Sequence, residues 1–426
     1  MPGMDAGKRS GPRGTSAAAD GAPINLRDEG RVRVLRALQD SGRSSRSALI
    51  SRTGLARATI TTLVADLIAS GVVEELDDTG GSSRRAGRPA QPLSIVASAA
   101  YAAAVDIGHQ HVRVAVCDAG GTSVWERAAA VDVDHTPTQT LDLAAGLVEE
   151  ALRSQDIPRE RVLGVGIGIA CPVETRNDTL YAEGIMADWV GVRPADELAH
   201  RTGLNAQLIN DANAGALAES LYGAGRNCDH MIYVRLSAGI GAGIVTNGQL
   251  QTGGNGLAGE VGHLQVDPDG RVCRCGNRGC LETVASPVAI ADLLAHSWNR
   301  RVDTDELFRL LAAGDHGAKR AVEDAGEAVG RCIAAMVTLF DPELVVVGGE
   351  LATAGEMLFE PMGRSIRRHV MPRSAKHHRV VAGELGDRAA VLGAAGLVLA
   401  KAPDVLARSR LAGPALPYGT YSPPAC

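Results

Sequence analysis

Residues 259–282 read GEVGHLQVDPDGRVCRCGNRGCLE and bring four metal-binding side chains into one short loop. These four are His263, Cys273, Cys275 and Cys280. Three thiolates and one imidazole make a closed tetrahedral ligand set, which is typical of structural Zn²⁺ and leaves no position for a catalytic water. Gly276 and Gly279 allow the tight bend that brings Cys275 and Cys280 together. Reduced structural cysteines and a redox pair are the alternatives, and the stretch favours a structural zinc loop.

On either side of this loop the chain alternates strands and helices in two similar halves. Residues 101–121 (YAAAVDIGHQHVRVAVCDAGG) and residues 231–250 (MIYVRLSAGIGAGIVTNGQL) each predict two strands joined by a glycine turn. After each hairpin, apolar runs of strand length alternate with helical patterns, of which residues 137–154 are one example. The predicted fold is therefore an α/β unit over residues 98–402, duplicated around a cleft.

Before the α/β unit, the sequence predicts three helices followed by a β-hairpin. The helices cover residues 27–40, 45–53 and 55–70, and the strands are VVEEL and PLSIV. This is the arrangement of a winged helix-turn-helix, which we assign to residues 26–97. Residues 1–25 are rich in Gly, Ser, Ala and Pro without periodicity and predict a disordered leader. The Pro-rich residues 403–426 predict a disordered tail.

The third helix of such a head enters the major groove of DNA with its N-terminal side chains against base edges. Here those side chains belong to Arg57, Ala58, Thr59 and Thr62. Arginine can pair with guanine, threonine can donate or accept, and alanine can contact a thymine methyl group. At the predicted wing tip, Arg84, Arg85 and Arg88 lie in an RRAGRP element suited to a narrow minor groove. A protein-interaction module and a solvated charged face are the alternatives, and the combination favours DNA.

The charge of the chain is divided unevenly. Residues 1–90 hold Lys8 and 13 Arg against 10 acidic residues, a net charge of +4, whereas the remaining 336 residues carry −10. A basic head on an acidic body suggests nucleic acid at one end only. No apolar run approaches the roughly 18 residues of a membrane span, and no signal peptide is visible. We therefore expect a cytoplasmic protein without a membrane partner, in which clustered cysteines indicate metal rather than disulfides.

The stretch at residues 259–282 resembles the motif of the ROK family, which contains repressors, open reading frames and kinases. The resemblance covers about residues 31–400 and implies the two-lobed actin-like, hexokinase-like ATPase fold. With its winged head, the chain resembles the family's bacterial regulators, which are sugar-binding repressors and activators. The resemblance therefore implies three kinds of partner: double-stranded operator DNA, a sugar or sugar phosphate effector, and further copies in a homodimer or homotetramer.

The resemblance also implies five sugar-contacting positions. These are Asn210, Asp211, Glu260, His263 and Glu282. Carboxylates and an amide at a cleft can bond adjacent sugar hydroxyls, and His263 could bind zinc through one nitrogen and a hydroxyl through the other. In the kinases of the family, the position of Asp211 is the general base that deprotonates the attacking hydroxyl. The predicted zinc ties the loop of His263 to that of Glu282.

The two glycine turns depart from the kinases of the family. Asp106–His111 reads DIGHQH and lacks the second glycine and the threonine of the kinase pattern, so His109 and Gln110 should crowd the ATP phosphates. The second turn, Leu236–Gly243, has alanine where the kinases have Gly-Thr. We therefore predict a sugar-controlled transcriptional repressor without a catalytic residue and without ATP. The alternative is an ATP-dependent sugar kinase of the glucokinase type with Asp211 as its base.

Overall fold

The computed structural model describes residues 26–76, 91–174, 176–372 and 378–408 of the 426-residue chain. The predicted leader, the predicted wing tip with Arg84, Arg85 and Arg88, and the predicted tail beyond residue 408 lie outside these described residues. The described residues form a small head followed by two lobes, each built on one five-stranded sheet.

The head consists of three helices and a two-stranded antiparallel sheet. Their bounds are α1 (Leu26–Ser41), α2 (Arg46–Thr53), α3 (Arg57–Ala69), β1 (Val73–Glu75) and β2 (Leu93–Ile95). Ser45 caps α2 by accepting the Ala48 N–H, and Gly54 ends this helix in the left-handed conformation. Ala56 precedes α3 and offers no side-chain cap. Helices and hairpin together form the predicted winged helix-turn-helix.

The first lobe is built on a mixed sheet, and two helices cover one face of this sheet. Its strands are β3 (Tyr101–Ile107), β4 (His111–Asp118), β5 (Ser123–Ala130), β6 (Val162–Ile169) and, after the short hairpin of β7 (Val173–Glu174) and β8 (Thr179–Leu180), β9 (Ala206–Asn210). The strand order is β5-β4-β3-β6-β9, in which the first three strands pair antiparallel and the last three parallel. Helices α4 (Pro137–Ser154) and α5 (Pro194–Thr202) pack on one face. Helix α6 (Asp211–Tyr222) follows directly after β9.

The second lobe repeats this plan. Its strands are β10 (Met231–Leu236), β11 (Ile240–Thr246), β12 (Gln249–Gln251), β13 (Leu344–Gly348) and β14 (Arg379–Ala382). Its helices are α7 (Glu282–Ala285), α8 (Pro287–Trp298), α9 (Thr304–Ala313), α10 (His316–Phe340) and α11 (Glu356–His369). The strand order β12-β11-β10-β13-β14 again joins an antiparallel hairpin unit to two parallel strands. The predicted duplication of an α/β unit is therefore confirmed.

Helix α12 (Ala389–Leu399) lies beside α6 in a layer between the two sheets. It packs on β3, β4 and β6, whereas α6 packs on β10 and β11. A Cβ atom on Gly393 would lie 1.8 Å from the carbonyl oxygen of Ala214, so the backbones of the two helices are in direct contact. A Cβ atom on Gly166 would similarly lie 1.9 Å from the carbonyl oxygen of Ala394. Only glycine permits such close approaches.

The helical segment Gly386–Leu406 is apolar and long enough to cross a membrane by length and composition alone. Its uninterrupted apolar run, between Arg388 and Lys401, is shorter than a membrane span, in agreement with the sequence. The most apolar window of this segment is 72% buried inside the fold. Burial between the sheets therefore accounts for its composition.

The end of the described chain packs against the head. Helix α13 (Ala402–Leu406) and the following Ala407 contribute buried residues to the same apolar core as α1. The Gln39 amide donates to the carbonyl oxygen of Leu399 at 2.8 Å, and Arg36 pairs with Asp404 at 3.0 Å. The prediction of a disordered tail from residue 403 is therefore wrong for residues 403–408, because their apolar side chains complete the core of the head.

We expect Gly393→Ala to lower the free energy of unfolding by about 3 kcal/mol or more, because the added methyl group meets a backbone atom that cannot move aside. Urea denaturation of the full chain measures this change. The control is Gly146→Ala in α4, where a Cβ atom meets nothing within 4 Å. Because Gly146 is an exposed glycine within a helix, its substitution by alanine should raise the free energy of unfolding by up to about 1 kcal/mol. Equal stabilities of wild type and Gly393→Ala would contradict the backbone contact.

Candidate functional site

A cleft between the two lobes collects all five positions predicted to contact a sugar. Asn210, Asp211, Glu260, His263 and Glu282 line this one cavity, together with residues of both glycine turns. Asn210 and Asp211 stand where β9 ends and α6 begins, and Glu282 begins α7. The carboxyl end of a strand and the N-terminus of the helix that follows it are common places for polar ligands in α/β folds.

Asn210 and Asp211 form a fixed unit at the start of α6. The Asn210 side-chain oxygen accepts the N–H groups of Ala212 and Asn213, and its amide donates to Asp211 at 3.2 Å. One Asp211 oxygen also accepts the Ala212 N–H at 2.7 Å, and the other lies 2.9 Å from Nε of Arg235. Burial raises the pKa of Asp211, and the charge of Arg235 opposes this rise. Both carboxylate oxygens are thus held in place.

The other two carboxylates of the cleft differ in their surroundings. Glu282 pairs with Nε of Arg274 at 2.9 Å and accepts the Ile240 N–H at 3.1 Å, which joins α7 to the second glycine turn. The side-chain carboxylate of Glu260 has neither an ion-pair nor a hydrogen-bond partner among the described residues. Burial, together with the negative charges of Asp211 and Glu282, raises the pKa of Glu260 to about 7. Near neutral pH this carboxyl group can therefore donate or accept a hydrogen bond.

The metal-binding cluster adjoins the cleft. The ligand atoms of its four residues lie within 4.8 Å of one another; the residues are His263, Cys273, Cys275 and Cys280. Cys273 Sγ is 3.6 Å from His263 Nδ1, and Cys275 Sγ is 3.7 Å from Cys280 Sγ. Two thiolates on one tetrahedral zinc ion are about 3.8 Å apart, as follows from Zn–S bonds of about 2.3 Å. The four predicted ligands can therefore hold a metal ion.

One glycine of the metal loop is required by its surroundings. Gly279 has a φ of +67°, and a Cβ atom there would lie 1.5 Å from the carbonyl oxygen of Asp267. Gly276 also has a positive φ, +90°, but faces open space. Gly279 thus allows the chain to fold back on itself so that Cys280 reaches the other ligands, whereas Gly276 serves only the turn.

The first glycine turn is filled by histidine side chains. The ring of His111 covers Gly108, where a Cβ atom would lie 2.4 Å from His111 Cε1. His111 Nε2 lies 3.3 Å from one oxygen of the buried Asp106, whose other oxygen has no partner among the described residues. His109 pairs with Asp134 at 2.8 Å and borders the cleft beside Gln110. The sequence draws attention to His109 and Gln110, but it is His111 that covers the turn.

Sequence reasoning missed two arginines in the cleft. Arg235 is the one charged residue of the apolar strand β10 and immediately precedes the second glycine turn. A charge in a buried strand beside such a turn is a signal that could have identified it. Arg274 stands between two predicted metal ligands, a position that aims its side chain at neighbouring Glu282. Both arginines compensate the negative charge of a carboxylate that the sequence did identify: Arg235 that of Asp211, and Arg274 that of Glu282.

The candidate DNA-binding surface lies at the N-terminus of α3. Arg57, Ala58, Thr59 and Thr62 are all exposed there. On its opposite face the helix buries Ile60, Leu63, Val64 and Leu67 in the core of the head. The structure thus brings together the four predicted groove-reading residues of this helix.

Comparison with known proteins identifies both parts of the chain. Residues 102–401 match the ROK family, and residues 27–74 match a winged helix-turn-helix DNA-binding domain. The chain belongs to the ROK family. Glucokinase from Thermotoga maritima is 38% identical over 248 residues, which cover 55% of this chain and 78% of the glucokinase.

Two relatives cover both the head and the ROK domain of this chain. The N-acetylglucosamine repressor of Escherichia coli O6:H1 is 30% identical over 383 residues, 86% of this chain and 91% of the repressor. Among solved structures, a ROK family transcriptional regulator that is a homologue of the E. coli MLC protein superposes with a TM-score of 0.73. It is 26% identical and covers 91% of this chain and 99% of its own. This ROK protein is therefore similar to regulators over nearly its whole described length.

We expect this ROK protein to bind one metal ion per chain and Cys280→Ser to abolish that binding, because three remaining ligands leave the tetrahedron open. Inductively coupled plasma mass spectrometry of the purified chain measures the number of metal ions bound per chain. Loss of the ion should lower the thermal midpoint by about 5–10 °C. Cys228→Ser, at a half-buried cysteine outside the cluster, is the control and should retain the metal. Full metal content in Cys280→Ser would show that the cluster is not the binding site.

Glu260 should make the stability of the ROK protein depend on pH. Its pKa is about 7 in the folded chain, against an ordinary value of 4.5. The folded state therefore binds more protons between these values, and stability falls as the pH rises through this window. We expect Glu260→Gln to raise the free energy of unfolding by about 1–2 kcal/mol at pH 8 and to change it little near pH 5.

Urea denaturation at both pH values measures this difference. The exposed Glu160 provides a matched control, because Glu160→Gln removes the same charge without relieving burial. Equal effects of Glu260→Gln at pH 5 and pH 8 would contradict the raised pKa.

Proposed function

We propose that this chain is a sequence-specific DNA-binding transcriptional repressor controlled by a sugar or sugar phosphate bound in the cleft of its ROK domain. The observation that carries the proposal is the joining of two features in one chain. A winged head with an exposed α3 face packs directly on the domain that gathers the five predicted sugar-contacting residues in one cleft. The similar E. coli protein that matches 86% of this chain is named as a repressor and is named after a sugar, N-acetylglucosamine.

On DNA, Arg57, Thr59 and Thr62 would read base edges in the major groove, and Ala58 would contact a thymine methyl group. Arg84, Arg85 and Arg88, which lie outside the described residues, would contribute salt-sensitive affinity in the minor groove. A homodimer or homotetramer would place two heads on the half-sites of one operator. The proposed setting is the bacterial cytoplasm, as for other operator-binding proteins.

The cleft suits a ligand with several hydroxyl groups. Asp211 and Glu282 offer fixed acceptor atoms, which Asn210 helps to position, and Glu260 offers a carboxyl group without a partner among the described residues. His263 borders both the cleft and the metal cluster, so that the bound ion would orient its ring towards the sugar. The proposed ion is structural Zn²⁺, since soft thiolates in a closed tetrahedron favour it.

Two adjacent helices provide a physical route from the cleft to the head. Helix α6 starts with Asp211 in the cleft and contacts α12 through the backbone at Gly393. Helix α12 leads into α13, which contributes Leu406 to the core of the head. A ligand that draws the two lobes together would therefore move the head, provided that it binds the closed and open states with different affinities.

The alternative function, an ATP-dependent sugar kinase with Asp211 as base, is disfavoured by the first glycine turn. Kinase chemistry requires phosphate groups to approach this turn closely. Here the His111 ring covers Gly108, and its Nε2 lies 3.3 Å from the Asp106 carboxylate. Asp211 in turn faces the guanidinium of Arg235. The 38% identity with a glucokinase favours the alternative, but that similarity covers only 55% of this chain.

Affinity capture of sheared DNA from the source genome tests the proposal. The full chain is incubated with DNA alone and with glucose, xylose, N-acetylglucosamine or their phosphates. We expect a few upstream fragments to be enriched, and one sugar to change their yield. Arg57→Ala should weaken binding to the recovered fragment about 10-fold, because it removes a base contact. Arg309→Ala, at an exposed arginine of α9, should leave binding unchanged.

Two results would overturn the proposal. Capture that ignores sequence and vanishes at moderate salt would mean that the head is only a basic patch. ADP release with any of these sugars that is abolished by Asp211→Asn would instead establish the kinase.

A further inference from the structure

Arg235 connects the two lobes at the floor of the cleft. It lies near the end of β10 in the second sheet, and its side chain is only 12% exposed. Its Nε atom is 2.9 Å from Oδ2 of Asp211, which follows β9 of the first sheet. The ion pair thus links the second sheet to the helix that follows the first sheet, and both of its members line the cleft.

The charges around Arg235 make it the partner of Asp211 rather than a free anion-binding group. Asp106 and Glu350 add negative charge nearby, and with Asp211 they raise the pKa of Arg235 despite its burial. The guanidinium therefore stays charged at every pH at which the protein folds. Because three carboxylates surround one cation, this end of the cleft suits a neutral hydroxyl group better than a second anion.

The geometry around Asp211 leaves little freedom to its carboxylate. Oδ1 accepts the Ala212 N–H at 2.7 Å and the Asn210 amide at 3.2 Å, and Oδ2 faces Arg235. Oδ1 already accepts two hydrogen bonds, whereas Oδ2 keeps a free lone pair and can still accept a hydrogen bond from a ligand. Without Arg235, a buried Asp211 would lose its compensating charge and would take up a proton more readily.

We infer that Arg235 is a positioning residue for effector recognition, which holds the Asp211 carboxylate ionised and correctly aimed as the acceptor of a sugar hydroxyl. This inference rests on the proposed function, in which a sugar binds the cleft. Arg235 acts on the sugar through Asp211. Its effect on affinity must therefore disappear when Asp211 can no longer be ionised.

A double-mutant cycle tests this dependence. Isothermal titration calorimetry of the full chain with glucose, xylose, N-acetylglucosamine and their phosphates first selects the ligand that binds most tightly. Its affinity is then measured for Arg235→Met, Asp211→Asn and the double variant. We expect each single variant to weaken binding about 10- to 100-fold, as for the loss of a charge-assisted hydrogen bond. The double variant should be no more than about 3-fold weaker than the worse single variant.

Two further variants separate positioning from general stability. Arg235→Lys keeps the charge and should recover part of the lost affinity, although lysine lacks the planar geometry of arginine. It also keeps the cycle interpretable if Arg235→Met does not fold. Arg388→Met removes one of the two arginine partners of Glu126, an ion pair of 2.8 Å outside the cleft, and should leave the affinity unchanged.

The outcomes distinguish this inference from the proposed function. If wild type binds a sugar but the effects of Arg235→Met and Asp211→Asn multiply, Arg235 does not act through Asp211 and the inference is wrong while the proposed function stands. If Arg235→Met keeps the affinity for the sugar and only lowers the midpoint of unfolding, the ion pair serves stability alone and the inference is wrong. If wild type binds none of the three sugars or their phosphates, the sugar-controlled function fails and the inference fails with it.

Discussion

Helices α6 and α12 contact each other through their backbones between the two sheets, and the positions of both the cleft and the head depend on this contact. A side chain at Gly393 would collide with the carbonyl oxygen of Ala214, so the helices can approach this closely only through glycine. Helix α6 carries Asp211 into the cleft, whereas α12 leads to the residues that complete the core of the head. Because close-packed interiors do not deform continuously, two helices in such contact tend to move together.

The cleft combines compensated and uncompensated charges. Asp211 and Glu282 each face an arginine, and these pairs hold their carboxylates at defined positions. Glu260 has no such partner in the described part of the chain, and its pKa of about 7 reflects the cost of burying its charge beside two others. A folded protein gains nothing from this arrangement by itself. Uncompensated polar groups of this kind are typical of binding sites, where a ligand supplies the missing hydrogen bonds.

The sequence predicted those features that depend on local patterns. Helix α4 has the predicted bounds, residues 137–154, because its apolar period and its N-terminal proline are both local. The four predicted metal ligands were likewise recognised by their spacing, and the structure brings their ligand atoms within 4.8 Å of one another. The proposed sugar-binding positions lie at the distant ends of strands and loops and required the family resemblance, because no local pattern joins Asn210 to Glu282.

Features that depend on distant contacts escaped prediction. The Arg36–Asp404 pair joins residues 368 positions apart, and nothing in the Pro-rich composition after residue 402 indicates that its first turn packs on α1. The pairing of Arg235 with Asp211 likewise follows from the meeting of two sheets. Burial patterns suggest that a charged residue in an apolar strand has a partner, but only the fold identifies that partner.

One fold serves both kinases and regulators in this family, so the difference between them must lie in a few side chains. A kinase needs space for phosphate at the glycine turn and a base that can take up a proton. In this chain the His111 ring covers Gly108, and the base position is paired with Arg235. In the proposed function the cleft binds a sugar without phosphorylating it, and a bound ligand that is not consumed is what a reversible regulator requires.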